Sequence, residues 1–310
     1  MGIGIDLGGT AIKGGLVNTQ GQVLEERTKL TESHRGYQAI LEDLVELIND
    51  LLEISPNETI VGIGIPGILS GDCGTIVSSP NLHWKNVALK KDLEVRLTQK
   101  VLLVNDATAA CIAEASFGSI FKKANAMMIT LGTGIGGGLI LGHKIITGAH
   151  GVATEVGHMV MGENFYNCGC GKNGCLETFA SATALVRYCD MRLKQGISST
   201  LAKEKILNAK IIMDEAKAGD VLALEAVDRL AKYLGMAISN ISDLVDPEIY
   251  AIGGGLAYAG DFLLDKIRTA TMKYLTYPDF AVPEIVLAQL KNEAGIIGAA
   301  NLSHYIITRK

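Results

Sequence analysis

Residues 2–17, GIGIDLGGTAIKGGLV, set apolar runs on both sides of a Gly-Gly-Thr and predict strand, tight turn, strand. The rhythm returns in residues 127–142, MMITLGTGIGGGLILG, where Leu131-Gly132 falls on Leu7-Gly8 and Gly138 on Gly14 at a spacing of 124 residues. That period is too long for a solenoid and predicts two related lobes, each opening with a similar hairpin. Between the two hairpins, IVGIGIPG (60–67) and VLLVNDATAA (101–110) read as buried strands ending at turns. In AILEDLVELINDLLEIS, the residues Leu41, Leu44, Val45, Ile48, Leu51 and Leu52 make one helical stripe that covers a sheet face. A second amphipathic helix spans 220–245, with Leu224, Val227, Leu230, Leu234, Ile238 and Ile241 apolar, and PEIYAIGGGLAYAGDFLLDKI after it reads strand, glycine turn, helix. Strands alternating with helices throughout define an α/β fold.

The chain has 310 residues, 48% of them hydrophobic and 20% charged, enough for two lobes that each bury a core. A formal charge of −5 without any run of lysine or arginine leaves no electrostatic footprint for nucleic acid. The start, MGIGIDLGGT, lacks the features of a secretion signal, and Asp6 stands where a myristoylation motif needs serine or threonine. Residues 124–142 carry no charge, but GTGIGGG suits a backbone turn and not a lipid-facing helix. The expectation is a cytoplasmic protein with no membrane partner, in which clustered cysteines serve metal or redox chemistry before disulfides.

The string GTGIGG (132–137) matches the dinucleotide fingerprint formally, but a strand-like LILGHKIITG follows where that motif needs a helix. Glycine turns between strands still serve phosphates, because bare N–H groups approach them without side chains in the way. DLGGTAIK adds Asp6 to hold Mg²⁺ through water, Thr10 to donate a hydroxyl and Lys13 as a cation around Gly8 and Gly9. Two structural hairpin turns are the competing reading; a third glycine turn, Gly253-Gly254-Gly255, favours nucleotide binding at Gly132, Thr133, Gly134 and their counterparts. These residues resemble, in order, the two phosphate turns and the adenosine turn of the sugar kinase, Hsp70 and actin superfamily. The resemblance implies two lobes of ribonuclease-H-like topology with ATP in the cleft between them, and leaves kinase, chaperone and filament open.

Three of the six cysteines, Cys168, Cys170 and Cys175, fall within eight residues, with His158 ten positions before the first. Three thiolates and an imidazole complete a tetrahedral zinc set with no open position, so the site is structural. Three reduced cysteines in a glycine-rich loop are the alternative, against which their scarcity elsewhere argues. Cys73, Cys111 and Cys189 stand alone and read as ordinary buried cysteines. The surrounding EVGHMVMGENFYNCGCGKNGCLETFASATAL (155–185) is similar to the zinc signature of the ROK family (repressors, open reading frames and kinases), in particular its bacterial glucokinase branch. With the glycine turns, the resemblance extends from Gly2 to the C-terminal EAGIIGAA.

What the resemblance implies is specific. Glu155, His158 and Glu177 contact sugar hydroxyls, with His158 also a zinc ligand; Asn81 in SSPNLHWKNVAL touches the sugar and Gly67 lies nearby. Asn105-Asp106 sits where a strand meets a helix, a place where either residue could simply cap the helix. Its match to the family's Asn-Asp pair implies that Asp106 is the general base for the sugar 6-hydroxyl, beside Asn105. Lobe closure then excludes water from phosphoryl transfer. The expected enzyme is an ATP-dependent hexokinase, glucose first and mannose second, with N-acetylmannosamine, N-acetylglucosamine and fructose as alternatives. Lobes are placed at 1–108 plus 296–310 and at 109–295, and the family implies a homodimer or dimer of dimers. A sugar-responsive repressor needs a DNA-reading element ahead of the first turn, which here begins almost at Met1. Trp84 reads as core or lobe-edge packing. Two departures bear on sugar choice: Ala153-Thr154-Glu155 where many relatives have Ala-Gly-Glu, and His150 where asparagine is frequent.

Overall fold

A hairpin opens each of two five-stranded sheets, and a computed structural model describes them over residues 1–306. The first part runs β1 Gly2–Leu7, β2 Ala11–Val17, β3 Val23–Leu30, α1 Tyr37–Ile54, β4 Ile60–Ile65, β5 Ile68–Leu69, β6 Ile76–Ser79, β7 Trp84–Val87, α2 Leu89–Glu94, β8 Lys100–Asn105 and α3 Asp106–Phe117. The chain continues through β9 Ala126–Leu131, β10 Ile135–Leu141, β11 Lys144–Ile145, α4 Glu177–Ala180, α5 Ala182–Lys194, α6 Ala209–Ala218 and α7 Val221–Val245. It ends with β12 Ile249–Gly253, α8 Asp261–Met272, β13 Glu284–Leu287, α9 Ala294–Ala300 and α10 Leu302–Ile306.

Strand order is β3-β2-β1-β4-β8 in one sheet and β11-β10-β9-β12-β13 in the other. The 124-residue echo therefore maps β1 onto β9, each the third strand of its sheet, and β2 onto β10, each the second. In the first sheet β1 pairs antiparallel with β2, Leu7 opposite Ile12, and parallel with β4. Backbone packing divides the chain into one compact unit of Met1–Met128, Gly138–Thr154 and the residues from Gln289, and a second of Ile129–Gly137 and Glu155–Ala288. The lobes read from the sequence instead place most of α3 beyond a boundary at 108, whereas α3 belongs to the first unit.

Helix α1 covers its sheet, but its buried stripe is Ile40, Leu41, Leu44, Leu47, Ile48 and Leu51. Val45 and Leu52, placed in the stripe by sequence, only flank the core. Along α7 the same small rotation buries Leu222 and leaves Leu224 partly exposed. The reason is common to both: apolar residues exceed what one face holds, and the neighbours decide which are covered, the sheet strands β2 and β3 for α1 and the helices α4, α5, α6 and α8 for α7. Trp84 is a core residue, set edge-on to Tyr37 with ring centroids 5.1 Å apart. Cys111 and Cys189 are buried as expected; Cys73 is only half-buried, on a turn at φ 53°.

Helix α9 lies on the first sheet at backbone distance. A β-carbon on Gly62 would stand 1.8 Å from the Ala299 carbonyl oxygen, and one on Gly298 would stand 1.7 Å from that of Ala109 in α3. Neither neighbour is a side chain that could turn away. Gly298→Ala is therefore expected to overpack the unit by about 3 kcal/mol, a fall in Tm of roughly 5–10 °C that calorimetry reads directly.

Candidate functional site

Within the first unit, five of the sequence-derived residues come together. Asn105, the last residue of β8, caps α3: its Oδ1 accepts from Ala107 N–H at 3.0 Å and Thr108 N–H at 3.2 Å. Its Nδ2 donates to the Gly67 carbonyl at 3.1 Å. Capping thus falls to Asn105, while Asp106 begins the helix exposed, its Oδ1 accepting from Ala107 N–H at 2.8 Å. Gly67 at φ 132° approaches Ser78 and Ser79 so closely that a β-carbon would lie 2.3 Å from the Ser78 carbonyl oxygen. Asn81, exposed in the short turn Pro80–Leu82, lies against the first glycine turn, its Cβ 3.2 Å from where one on Gly9 would be.

That turn closes through Gly8 N–H to the Ala11 carbonyl at 2.9 Å, and Thr31 holds its far side by a 2.7 Å bond from Oγ1 to the Gly8 carbonyl. Thr10 is exposed at the tip. Asp6 and Lys13 face each other across the β1–β2 ladder. Burial raises the Asp6 carboxyl above its ordinary value against the opposing pull of Lys13. Gly295 leaves room for this carboxylate, since a β-carbon there would lie 2.6 Å from Oδ2. A half-buried acid in such a cradle suits a cation that restores its ionised form.

Within the second unit, His158, Cys168, Cys170 and Cys175 bring their ligand atoms within 4.8 Å of one another. His158 Nδ1 to Cys168 Sγ and Cys170 Sγ to Cys175 Sγ are both 3.6 Å. A zinc tetrahedron with arms of about 2.0–2.3 Å has edges of roughly 3.5–3.8 Å, so the donor set fits the ion. The other ring nitrogen, Nε2, lies 3.9 Å from Glu155 Oε2, the side from which a carboxylate orients a ligating histidine. Burial pushes the Cys168 thiol up to about 12 and raises that of Cys175; at Cys170 burial is outweighed by the Lys172 N–H and the other thiols, and its thiol is lowered. Such a set accepts several thiolates only around a cation.

Glu155 is raised by burial and by Glu177, with His158 opposing. Glu177, the first residue of α4, accepts from Ile135 N–H at Oε2, 3.1 Å away. Its Oε1 is 3.6 Å from Cys168 Sγ. Gly134 permits this, as a β-carbon would lie 2.1 Å from Oε2. Glu177, assigned from sequence to the sugar alone, therefore also touches the Gly132-Thr133-Gly134 turn; each oxygen keeps a further lone pair for a hydroxyl. The third turn, Gly253-Gly254-Gly255, abuts the end of β9: a β-carbon on Gly254, at φ 81°, would lie 2.5 Å from the Leu131 carbonyl oxygen. Thr154, one of the two departures noted from the sequence, takes φ 71°, a left-handed conformation that crowds a β-branched side chain.

Two residues escaped the sequence reading. Glu114, fully buried in α3, accepts from Ser119 N–H and Oγ and from the N–H groups of Gln289 and Leu290 at 2.7–2.8 Å. Thr183 donates to the Thr133 carbonyl at 2.8 Å. Glu114 left one signal, an acid amid an alanine-rich apolar run; Thr183 left none.

The two sheets and their hairpins are those of solved ROK sugar kinases, the ribonuclease-H-like fold of actin, Hsp70 and sugar kinases. The chain belongs to the ROK family, whose description matches residues 2–306. It is 38% identical to a glucokinase of Thermotoga maritima over 97% of this chain and 96% of that one. A glucokinase of Streptomyces coelicolor is 35% identical over 97% and 96%. Among solved structures, the ROK family glucokinase of Streptomyces griseus in complex with glucose and AMPPNP superposes with TM-score 0.82 at 33% identity, over 97% of this chain and 98% of that one. Among the described residues, no helix is long and apolar enough to cross a membrane.

Proposed function

We propose that this chain is an ATP-dependent hexokinase acting on the 6-hydroxyl of glucose, with Asp106 as general base. The observation that carries the assignment is the division of labour at the β8–α3 junction. Asn105 caps the helix through two N–H groups, so the exposed Asp106 carboxylate is not needed for that task. Asp106 takes the hydroxyl proton, the sugar oxygen bonds to the γ-phosphorus, and the bond to the β-phosphate oxygen breaks to release ADP. Asn81, Asn105 and Gly67 in the first unit and Glu155, His158 and Glu177 in the second are assigned to the sugar. The turns Gly8-Gly9-Thr10, Gly132-Thr133-Gly134 and Gly253-Gly254-Gly255, with Lys13, are assigned to ATP. Mg²⁺ at Asp6 neutralises phosphate charge when bound, and zinc at His158, Cys168, Cys170 and Cys175 supplies rigidity. The enzyme is assigned to the cytoplasm, whose reducing conditions keep the three zinc-binding cysteines and the other three out of disulfides, and to a homodimer or dimer of dimers.

ADP release from MgATP, followed across glucose, mannose, fructose, N-acetylglucosamine and N-acetylmannosamine, tests the reading. Turnover highest with glucose supports it; preference for an N-acetyl sugar or fructose keeps the chemistry and moves the substrate. No turnover with any sugar, from metal-loaded protein, removes the kinase assignment.

Asp6 gives a prediction with a worked sign. Its folded pKa lies above the ordinary 3.8, so the folded chain binds this proton more tightly than the unfolded one. The stabilisation is present at low pH and is lost as pH rises from about 3.8 through the folded value; above it the buried charge is a cost. Asp6→Asn is expected to hold or raise Tm at pH 7 while cutting kcat by about 10²-fold or more. A lowered Tm would contradict the electrostatic account, and an unchanged kcat the role of Asp6.

A further inference from the structure

The turn between β9 and β10 is glycine-rich and so loses much conformational freedom on ordering, and what holds it from outside sets its shape. Three bonds do so from one short segment. Ala182 N–H donates to the Gly132 carbonyl at 2.9 Å, Thr183 Oγ1 donates to the Thr133 carbonyl at 2.8 Å, and Glu177 Oε2 accepts from Ile135 N–H at 3.1 Å. The same segment is tied at its other end to the thiol cluster. Thr178 donates to the Cys175 carbonyl from both N–H and Oγ1, at 2.8 and 2.7 Å, and Leu176 N–H donates to the Met159 carbonyl, one residue past His158, at 2.8 Å.

The geometry has a directional consequence. A peptide unit is planar and trans, so its carbonyl and N–H point opposite ways. Holding the Gly132 carbonyl toward Ala182 aims the Thr133 N–H away from that segment, and holding the Thr133 carbonyl toward Thr183 does the same for the Gly134 N–H. Two successive N–H groups aimed to one side make an anion cradle.

We propose that residues 177–183 are the positioning element of this phosphate turn, that Thr183 orients the Gly134 N–H through the Thr133 carbonyl, and that the metal loop governs nucleotide binding as well as sugar binding. The inference rests on the assignment of residues 132–134 to ATP. Thr183 is a positioning residue: it acts on the turn and not on the substrate.

The test compares metal-loaded wild type, Thr183→Val, which deletes the hydroxyl at nearly constant shape, and Thr183→Ser, which keeps it. Calorimetry reads the affinity for AMPPNP, and steady-state kinetics the KM for ATP and for glucose. Loss of one hydroxyl-to-carbonyl bond predicts about three- to tenfold weaker AMPPNP binding and a matching rise in KM for ATP. The KM for glucose stays within about twofold, and Thr183→Ser restores wild-type binding. Stripping the metal from wild type weakens AMPPNP binding in the absence of sugar, speeds hydrogen exchange at residues 131–136, and is reversed by Zn²⁺. Unchanged AMPPNP affinity in Thr183→Val, an equal rise in both KM values, or wild-type AMPPNP affinity after stripping overturns the proposal while the nucleotide assignment stands. Wild type that binds no AMPPNP overturns that assignment and the proposal with it.

Discussion

Asp106→Asn is expected to lower kcat for glucose phosphorylation by about 10²–10⁴-fold, the range associated with a positioned general base. The fold is expected to survive, because the helix cap does not depend on the replaced carboxylate. Asn105 satisfies the Ala107 and Thr108 N–H groups, and an asparagine Oδ1 at 106 can keep the bond to Ala107 N–H. The acid lost from the first turn of α3 is worth about 0.3–1 kcal/mol against the helix dipole. The KM for ATP should hold, since the assigned phosphate turns are untouched. The decisive comparison is kcat beside Tm: a variant that melts like wild type and turns over at more than a tenth of its rate removes Asp106 as the base.

Removing the metal should produce the second large effect, and a local one. The loop from Met159 to Leu176 has no helix or strand; isolated bridges, Val160 with Cys175 and Asn167 with Asn173, and hydrogen bonds among its own polar groups are what the protein supplies, and most of its residues are exposed or half-buried. Apparent binding energies of about 10–16 kcal/mol for structural zinc in small peptides show how much of such a loop's order a metal supplies. Chelation is expected to abolish sugar turnover, with hydrogen exchange rising across residues 158–177 while α7 and β12 stay protected. Metal analysis should find one zinc per chain, and Zn²⁺ should restore both readouts. Cys170→Ser, at the exposed ligand, should reproduce the effect without disturbing packing. Full activity after complete metal loss would show that the loop is held by protein alone.

The local elements were legible because their signals are local. Apolar alternation around Gly-Gly-Thr specifies the β1–β2 hairpin, and the same pattern 124 residues later specifies its counterpart. The three cysteines and His158 announced a metal set by residue type and spacing, and their ligand atoms do converge. Less legible were the limits of each buried stripe. Val45, Leu52 and Leu224 have the hydrophobicity of core residues and lie at its margin, because burial is decided by what packs opposite.

By itself, then, the sequence determined the α/β class, the two hairpins and the donor chemistry of the metal loop, since each is written in residues close along the chain, whereas Asp106 became a candidate base through its resemblance to the family's Asn-Asp pair. Only the tertiary structure decided that α9 lies against Gly62 at backbone distance, that Glu114 fastens Gln289 and Leu290, and that Glu177 and Thr183 clasp a turn some 42 to 50 residues earlier. Those contacts join partners whose separation along the chain carries no pattern. At Glu114 the reason is burial, since a carboxylate taken out of water must find hydrogen-bond partners, and at every one of these contacts which partner is within reach is a property of the folded chain alone.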